Sequence, residues 1–340
     1  AARPAGVRPD VPWDPGAAEQ EKILKSVLGE GFLEELTAWW GAAPTDGGPD
    51  AAPNAVLGAV AQVVEKHRLK TYQSRDKRIT IVSDFKAREV QRAMKKTEEI
   101  FGKLDKAFGK PENKDSVWGL FLLDREVYQD LCRAIAAADP TLGPSVEDFL
   151  KQTGFTLYRP PLTTYFHDVR VQEEADPVRT LNHNFVHLEV YRRFGVVPLW
   201  ISEGVANAAE EEVYGDIHAH CNRDEFVFTA SRGAWRNTAA RLILKDKKKT
   251  WTLPDLFGYS ARPYQDELAH LAFAFATYGL EGNPKGLKSF LEALQKDYRE
   301  NWKGGGRFEP DPALVSRLVH ESFGEDFDRK FLQWTGQKLK

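Results

Sequence analysis

Apolar positions along this chain change their spacing as it proceeds, and each change predicts a different kind of element. Residues 1–16 and the stretch Ala42 to Asn54 are rich in Pro, Gly and Ala and carry no apolar period, which predicts extended connectors. Between them Ile23, Leu24, Val27, Leu28, Phe32, Leu33, Leu36 and Trp39 fall on one helical stripe. A stripe of that kind predicts a helix that packs on the main body.

From Asn54 onward helical and strand periods alternate. A helix runs to about His67, followed by the β-rich run Ile79 to Val82 and a long charged amphipathic helix from Phe85 to Phe108. The apolar strand Val117 to Leu123 comes next, then helices from about Asp124 and near Ser145 to Gln152. A third strand, Thr163 to Phe166, ends in His167 and Asp168. After Asp176 strand signals nearly vanish. Helices are predicted at Pro177–Phe194, Pro198–Tyr214, Tyr264–Tyr278, Gly286–Tyr298, Pro312–Phe323 and Asp326–Gln337. The expected class is α+β: a small α/β subdomain with a short mixed sheet, then a mainly helical C-terminal subdomain. The corresponding parts are an N-terminal extension over 1–53, the α/β subdomain over 54–175 and the helical part over 176–340. No internal repeat, GxGxxG turn or P-loop is present.

Composition narrows the function classes. With 340 residues, 42% of them hydrophobic, the chain can bury a sizeable core without staples. The 47 basic and 50 acidic residues leave a net charge of -3, which gives no footprint for nucleic acid. The longest apolar stretch, Leu268 to Leu280, is broken by His270 and Thr277 and falls short of the roughly 18 residues that span a bilayer. Cys132 and Cys221 suit either one disulfide or two thiols. The opening Ala1-Ala2-Arg3-Pro4-Ala5-Gly6 suits the mature end of an exported protein after signal cleavage, although a trimmed chain would begin in the same way.

The chemistry concentrates in Leu181-Asn182-His183-Asn184-Phe185-Val186-His187 and in Trp200-Ile201-Ser202-Glu203-Gly204-Val205-Ala206-Asn207. Residues four apart on a helix lie about 40° apart in azimuth and about 6 Å apart along the axis, so His183 and His187 can aim ring nitrogens at one point. A catalytic zinc site needs a third protein ligand and keeps a fourth position open; Glu203, on the next helix, suits the third. The histidine pair by itself reads more readily as two polar side chains sharing a helix face.

Trp200, Glu203, Gly204 and Ala206 sit as in a W-x-x-E-G-x-A helix, downstream of a histidine pair spaced as in HExxH. The pattern resembles that of the gluzincin, or peptidase-MA-like (thermolysin-type), zinc metallopeptidases, and the resemblance extends from about residue 55 onward. It implies one Zn2+ held by His183, His187 and Glu203, and an edge strand, here Thr163 to Asp168, that binds extended substrate beside the site. It also implies a residue at position 207 that orients a histidine ligand, and a cleft that takes a peptide or protein. His167 and Asp168 are then candidate cleft residues, His167 as an oxyanion donor or an extra ligand.

The sequence departs from that pattern at Asn184, where the family keeps the glutamate that takes a proton from the attacking water and passes it to the leaving amine. A carboxamide has no basic lone pair to do this, and losing general acid-base help costs about 10² to 10⁴ in rate. Asn207 likewise replaces a carboxylate often found in relatives. The implied function is a zinc-binding protein with lost or strongly reduced peptidase activity that binds peptide or protein. The alternatives are an active metallohydrolase with another base, an enzyme silenced by engineering at 184, and a metal-free interaction protein. Candidate bases outside the motif are Asp168, Glu173, Glu174 and Asp176; Glu189 lies about 200° round the helix from His187 and points away. His218, His220 and Cys221 read as a surface loop with a second metal as the alternative, and His270 as a structural histidine.

Overall fold

The computed structural model describes residues 51–113, 116–168, 176–222, 225–228, 234–245, 252–258, 266–301 and 308–339. The helix expected over Ile23 to Trp39, most of the lysine-rich run after Lys245, and Glu173 and Glu174 lie outside them. Helix α1 (Ala51–His67) leads into strands β1 (Lys70–Gln73) and β2 (Ile79–Ser83), helix α2 (Ala87–Phe108) and strand β3 (Val117–Leu122). Helices α3 (Arg125–Ala138) and α4 (Val146–Lys151) precede strands β4 (Gly154–Leu157) and β5 (Leu162–Phe166). The remainder is mainly helical: α5 (Pro177–Phe194), α6 (Leu199–Tyr214), the hairpin β6 (Ala219–Asn222) and β7 (Glu225–Phe228), α7 (Trp235–Lys245), α8 (Leu253–Phe257), α9 (Asp266–Thr277), α10 (Pro284–Asn301), α11 (Pro312–Phe323) and α12 (Phe327–Lys338). The fold is therefore α+β, as the spacing of apolar residues predicts.

The five-stranded sheet has the order β1-β2-β3-β5-β4. Its central strands β2, β3 and β5 run parallel, and β1 and β4 pair antiparallel at either edge. Every residue of β2 and β5 is buried, because both faces are covered. On one face Val82, Leu120, Leu122, Leu162 and Phe166 join α1 and α3 through Val56, Val60, Leu131 and Ile135. On the other, Ile79, Ile81, Phe121 and Tyr165 meet α2 and α5, and that core continues without interruption into the C-terminal helices.

The expectation that Thr163 to Asp168 forms the edge strand is corrected here. Strand β4 pairs along the outer side of β5, with Thr156 opposite Thr163 and Leu157 opposite Leu162, so β5 is internal and β4 is the edge. The short Gly154-Phe155-Thr156-Leu157 segment gives too few residues for a recognisable period.

Two glycines set how the site helices lie. A Cβ at Gly119 of β3 would stand 2.5 Å from Cζ of Phe185, so the glycine opens the space into which α5 presses its aromatic ring. A Cβ at Gly204 of α6 would stand 2.5 Å from the Ala272 carbonyl oxygen, so here the backbones of α6 and α9 approach closely. Helix α9 is apolar all round, with Leu268, Ala269 and Leu271 to Ala276 buried, as expected of a helix in the centre of its subdomain.

Candidate metal centre

Helix α5 begins where the Asp176 carboxylate accepts a hydrogen bond from the Val178 N–H (3.0 Å), with Pro177 in the first turn. It ends at Gly195, whose φ of 68° only glycine adopts without strain. Leu181 and Phe185 face the sheet, which turns His183 and His187 toward α6. Helix α6 is anchored by Trp200, whose ring packs against Phe257, Phe275 and Phe290. Glu203 lies one turn on and points at the histidines.

The three side chains converge. His187 Nε2 lies 3.1 Å from Glu203 Oε1, and His183 Nε2 lies 3.5 Å from Glu203 Oε2. The two imidazoles meet edge to face with ring centroids 4.8 Å apart. One ligand atom from each of the three lies within 4.8 Å of the others, and all three residues are buried. Burial alone would raise the Glu203 carboxyl, but the adjacent His187 and His183 outweigh it and hold the carboxyl well below the usual range. Two imidazole nitrogens and one carboxylate oxygen converge on a point, and this group could hold a metal ion.

Further groups contact the outer nitrogens of both rings. His187 Nδ1 lies 2.7 Å from the Ser202 hydroxyl. His183 Nδ1 lies 3.6 Å from Glu210 Oε2. The contact expected of Asn207 is not made: its side chain is fully buried and neither amide atom has a hydrogen-bond partner. Nothing local in the sequence marks Glu210 out, since it opens the run Glu210-Glu211-Glu212, a pattern common on solvated helix faces. Its seven-residue spacing from Glu203, two helical turns on the same face, is the signal that could have identified it.

Asn184 is half-buried. It shares the helix face of Thr180, His187 and Tyr191, and Tyr191 stacks on Tyr158 just past β4 (4.3 Å). A cavity of about 40 Å³ lies beside His187 and Ser202, walled by Tyr158, Val190, Tyr191 and Leu199. That is room for on the order of one or two waters.

Among the described residues, the carboxylates that could serve as substitute bases are Asp168, Asp176 and Glu189. Glu189 is fully buried and accepts from Arg78 Nη2 (2.8 Å), Arg192 Nε (2.8 Å) and Arg193 Nε (2.9 Å), on the side of α5 away from His187. Asp176 caps α5 and pairs with Arg92 (2.6 Å). Asp168 is buried 3.8 Å from Arg125. His167, also buried, lies with its Nδ1 3.1 Å from the Tyr165 hydroxyl, and burial lowers its pKa. Neither His167 nor Asp168 joins the ligand group.

The remaining candidates have local roles. His218 Nε2 accepts from the Asp176 N–H (2.9 Å), and His270 stacks on Trp235 (4.2 Å). The side chains of His220 and Cys221 lie outside the described residues. Cys132 is a free, buried thiol pushed up to about 12 by that burial. Among the described residues no helix is long and apolar enough to cross a membrane. The chain matches no protein-family model and no curated protein sequence.

Proposed function

We propose that the chain is a gluzincin-like zinc-binding protein whose peptidase chemistry is lost or strongly reduced and whose cleft binds a peptide or protein segment. The observation that carries this reading is the buried convergence of His183, His187 and Glu203 from two neighbouring helices. A two-histidine, one-carboxylate set with a position left open is the ligand arrangement of catalytic zinc. Zinc, when bound, supplies Lewis acidity toward a carbonyl oxygen.

The chain's own residues account for the missing half of the chemistry. Asn184, next to His183 and on the half-buried face of α5, can orient a polar group by hydrogen bonds but cannot take up or release a proton near neutral pH. Glu189 and Asp176 are bonded by arginines, Asp168 is buried 3.8 Å from Arg125, and none of the three belongs to the group that His183, His187 and Glu203 form. Support for peptide binding comes from β4, an edge strand that leads to Tyr158 at the wall of the cavity beside His187. An edge strand offers main-chain donors and acceptors to an added extended segment.

The test is elemental analysis of freshly purified protein beside a His183→Ala, Glu203→Ala double variant, with melting temperatures taken with and without a chelator. About one zinc per chain is expected, lost in the variant. A metal bound only by the folded state must also raise the wild-type melting temperature relative to the chelated protein. Absence of metal together with an unchanged melting temperature would show a metal-free protein and overturn the proposal.

A further inference from the structure

We infer that Glu210 is the positioning residue for His183, in the role expected of Asn207; the inference rests on the proposal that the centre holds a metal. One oxygen of Glu210 is immobilised: Oε1 accepts from Arg179 Nε (2.9 Å), Arg179 Nη2 (2.6 Å) and the His218 backbone N–H (2.9 Å). Arg179 is itself fixed by the Asp216 carboxylate (2.7 Å) and carbonyl (2.7 Å) and lies over the Tyr214 ring at 4.6 Å. With Oε1 so held, the carboxylate cannot swivel, and Oε2 is left directed at His183 Nδ1, 3.6 Å away.

That separation is longer than a hydrogen bond, so the contact acts through charge. Arg179 is taken up on the Oε1 side, shared between Glu210 and Asp216, so the negative charge that faces Nδ1 is that of Glu210 Oε2. That charge favours a proton on Nδ1 and leaves the lone pair on Nε2, the nitrogen turned toward Glu203. Asn207, one turn after Glu203, makes no hydrogen bond through either amide atom. The outer carboxylate has thus moved along α6 from the position the motif leads one to expect to one a turn further on.

The test uses the full chain and measures zinc affinity by competition with a chromogenic chelator, beside the melting temperature of each metal-free protein. Glu210→Gln is expected to weaken zinc binding by about 10- to 100-fold, and Asn207→Ala by less than about threefold. Asp216→Asn disturbs the same network without touching Oε2. It should lower the metal-free melting temperature without a comparable loss of affinity. Equal affinity in Glu210→Gln and wild type overturns the inference, as does a loss in Glu210→Gln and Asp216→Asn that merely follows their loss of stability.

A second measurement needs no variant. In zinc-loaded wild type labelled with 15N-histidine, His183 should carry its proton on Nδ1 with Nε2 bound, and the reverse pattern overturns the inference. Wild type that takes up no zinc overturns the metal reading and this inference with it. Zinc held equally by wild type and Glu210→Gln overturns only the role of Glu210.

Discussion

The Ser202 hydroxyl lies 2.7 Å from Nδ1 of His187, while Oε1 of the very next residue, Glu203, lies 3.1 Å from Nε2 of the same ring. Adjacent residues on a helix point about 100° apart, wide enough to place one on each side of an imidazole. Ser202 can accept the Nδ1 proton, which fixes the tautomer whose Nε2 lone pair faces the ligand group. Helix α6 therefore supplies one member of the buried group that could hold a metal ion and also orients a second.

Ser202→Ala should weaken zinc affinity by about tenfold or more while costing the fold only about 1 kcal/mol, the net value of an ordinary hydrogen bond. Chelator competition and denaturant unfolding of the same preparation check both halves. Unchanged affinity would mean that His187 is oriented by packing alone.

Gly204→Ala should destabilise the protein by about 1–3 kcal/mol, since the added methyl meets the Ala272 carbonyl, a backbone atom that cannot swing aside. The contrasting change is Gly102→Ala at an exposed position of α2, where a Cβ meets nothing within 4 Å. It should stabilise by about 0.5–1 kcal/mol through helix propensity. Thermal or denaturant unfolding of the pair compares them directly, and a stable Gly204→Ala would contradict the close approach of α6 and α9.

Much of this architecture is legible because long elements with one buried face declare their period. Helix α5 is predicted and observed over Pro177–Phe194, since Asp176-Pro177 starts it and Gly195 stops it. The convergence of His183, His187 and Glu203 is legible for the same reason, as spacing on two well-marked helices places it. What is not legible depends on pairing or on remote partners. Strand β1, Lys70-Thr71-Tyr72-Gln73, is mostly exposed and polar, and only its ladder with β2 makes it a strand. Strand β5 gives a clear β signal, but its interior position depends on β4, which gives none. Glu210 reads as solvated until Arg179 and the His218 backbone are folded against it.

The arginine cluster behind α5 makes a pH-dependent contribution to stability. Burial alone would raise the Asp105 carboxyl, but its bonds from Arg78 and Arg193 outweigh this and hold it below the ordinary aspartate value of 3.8. A depressed folded value means that the ionised carboxylate stabilises the fold above 3.8, and that this contribution is lost as the pH falls through the folded value. Wild type should thus melt higher than Asp105→Asn near neutrality, with the gap closing on acidification below that value. A gap independent of pH would assign the effect to packing.

The buried partner of those arginines should be less tolerant. Glu189 is fully buried between Arg78, Arg192 and Arg193, so Glu189→Ala removes the buried carboxylate they share and leaves Arg78 and Arg193 to divide the charge of Asp105. The expected cost is about 3–5 kcal/mol, read by denaturant unfolding. Zinc affinity per folded molecule should change little, because Glu189 faces the side of α5 opposite the ligands. A large loss of affinity at unchanged stability would place Glu189 in the metal site instead.

Asn184→Glu tests whether the general base is the missing catalytic element. The residue follows His183 directly and lies one turn before His187 on the same face of α5. Replacing the amide by a carboxylate adds a proton acceptor there without altering any of the three ligand side chains. Zinc content should stay the same, and chelator-sensitive cleavage of unstructured peptides should rise by about 10² or more over wild type. Asn184→Gln, which has the glutamate's length but not its basicity, should give no rise. Equal cleavage by wild type and Asn184→Glu would mean that another group already serves as base. No cleavage by either, with zinc bound in both, would mean that the cleft has also lost the geometry that brings a carbonyl to the metal, making binding the surviving function.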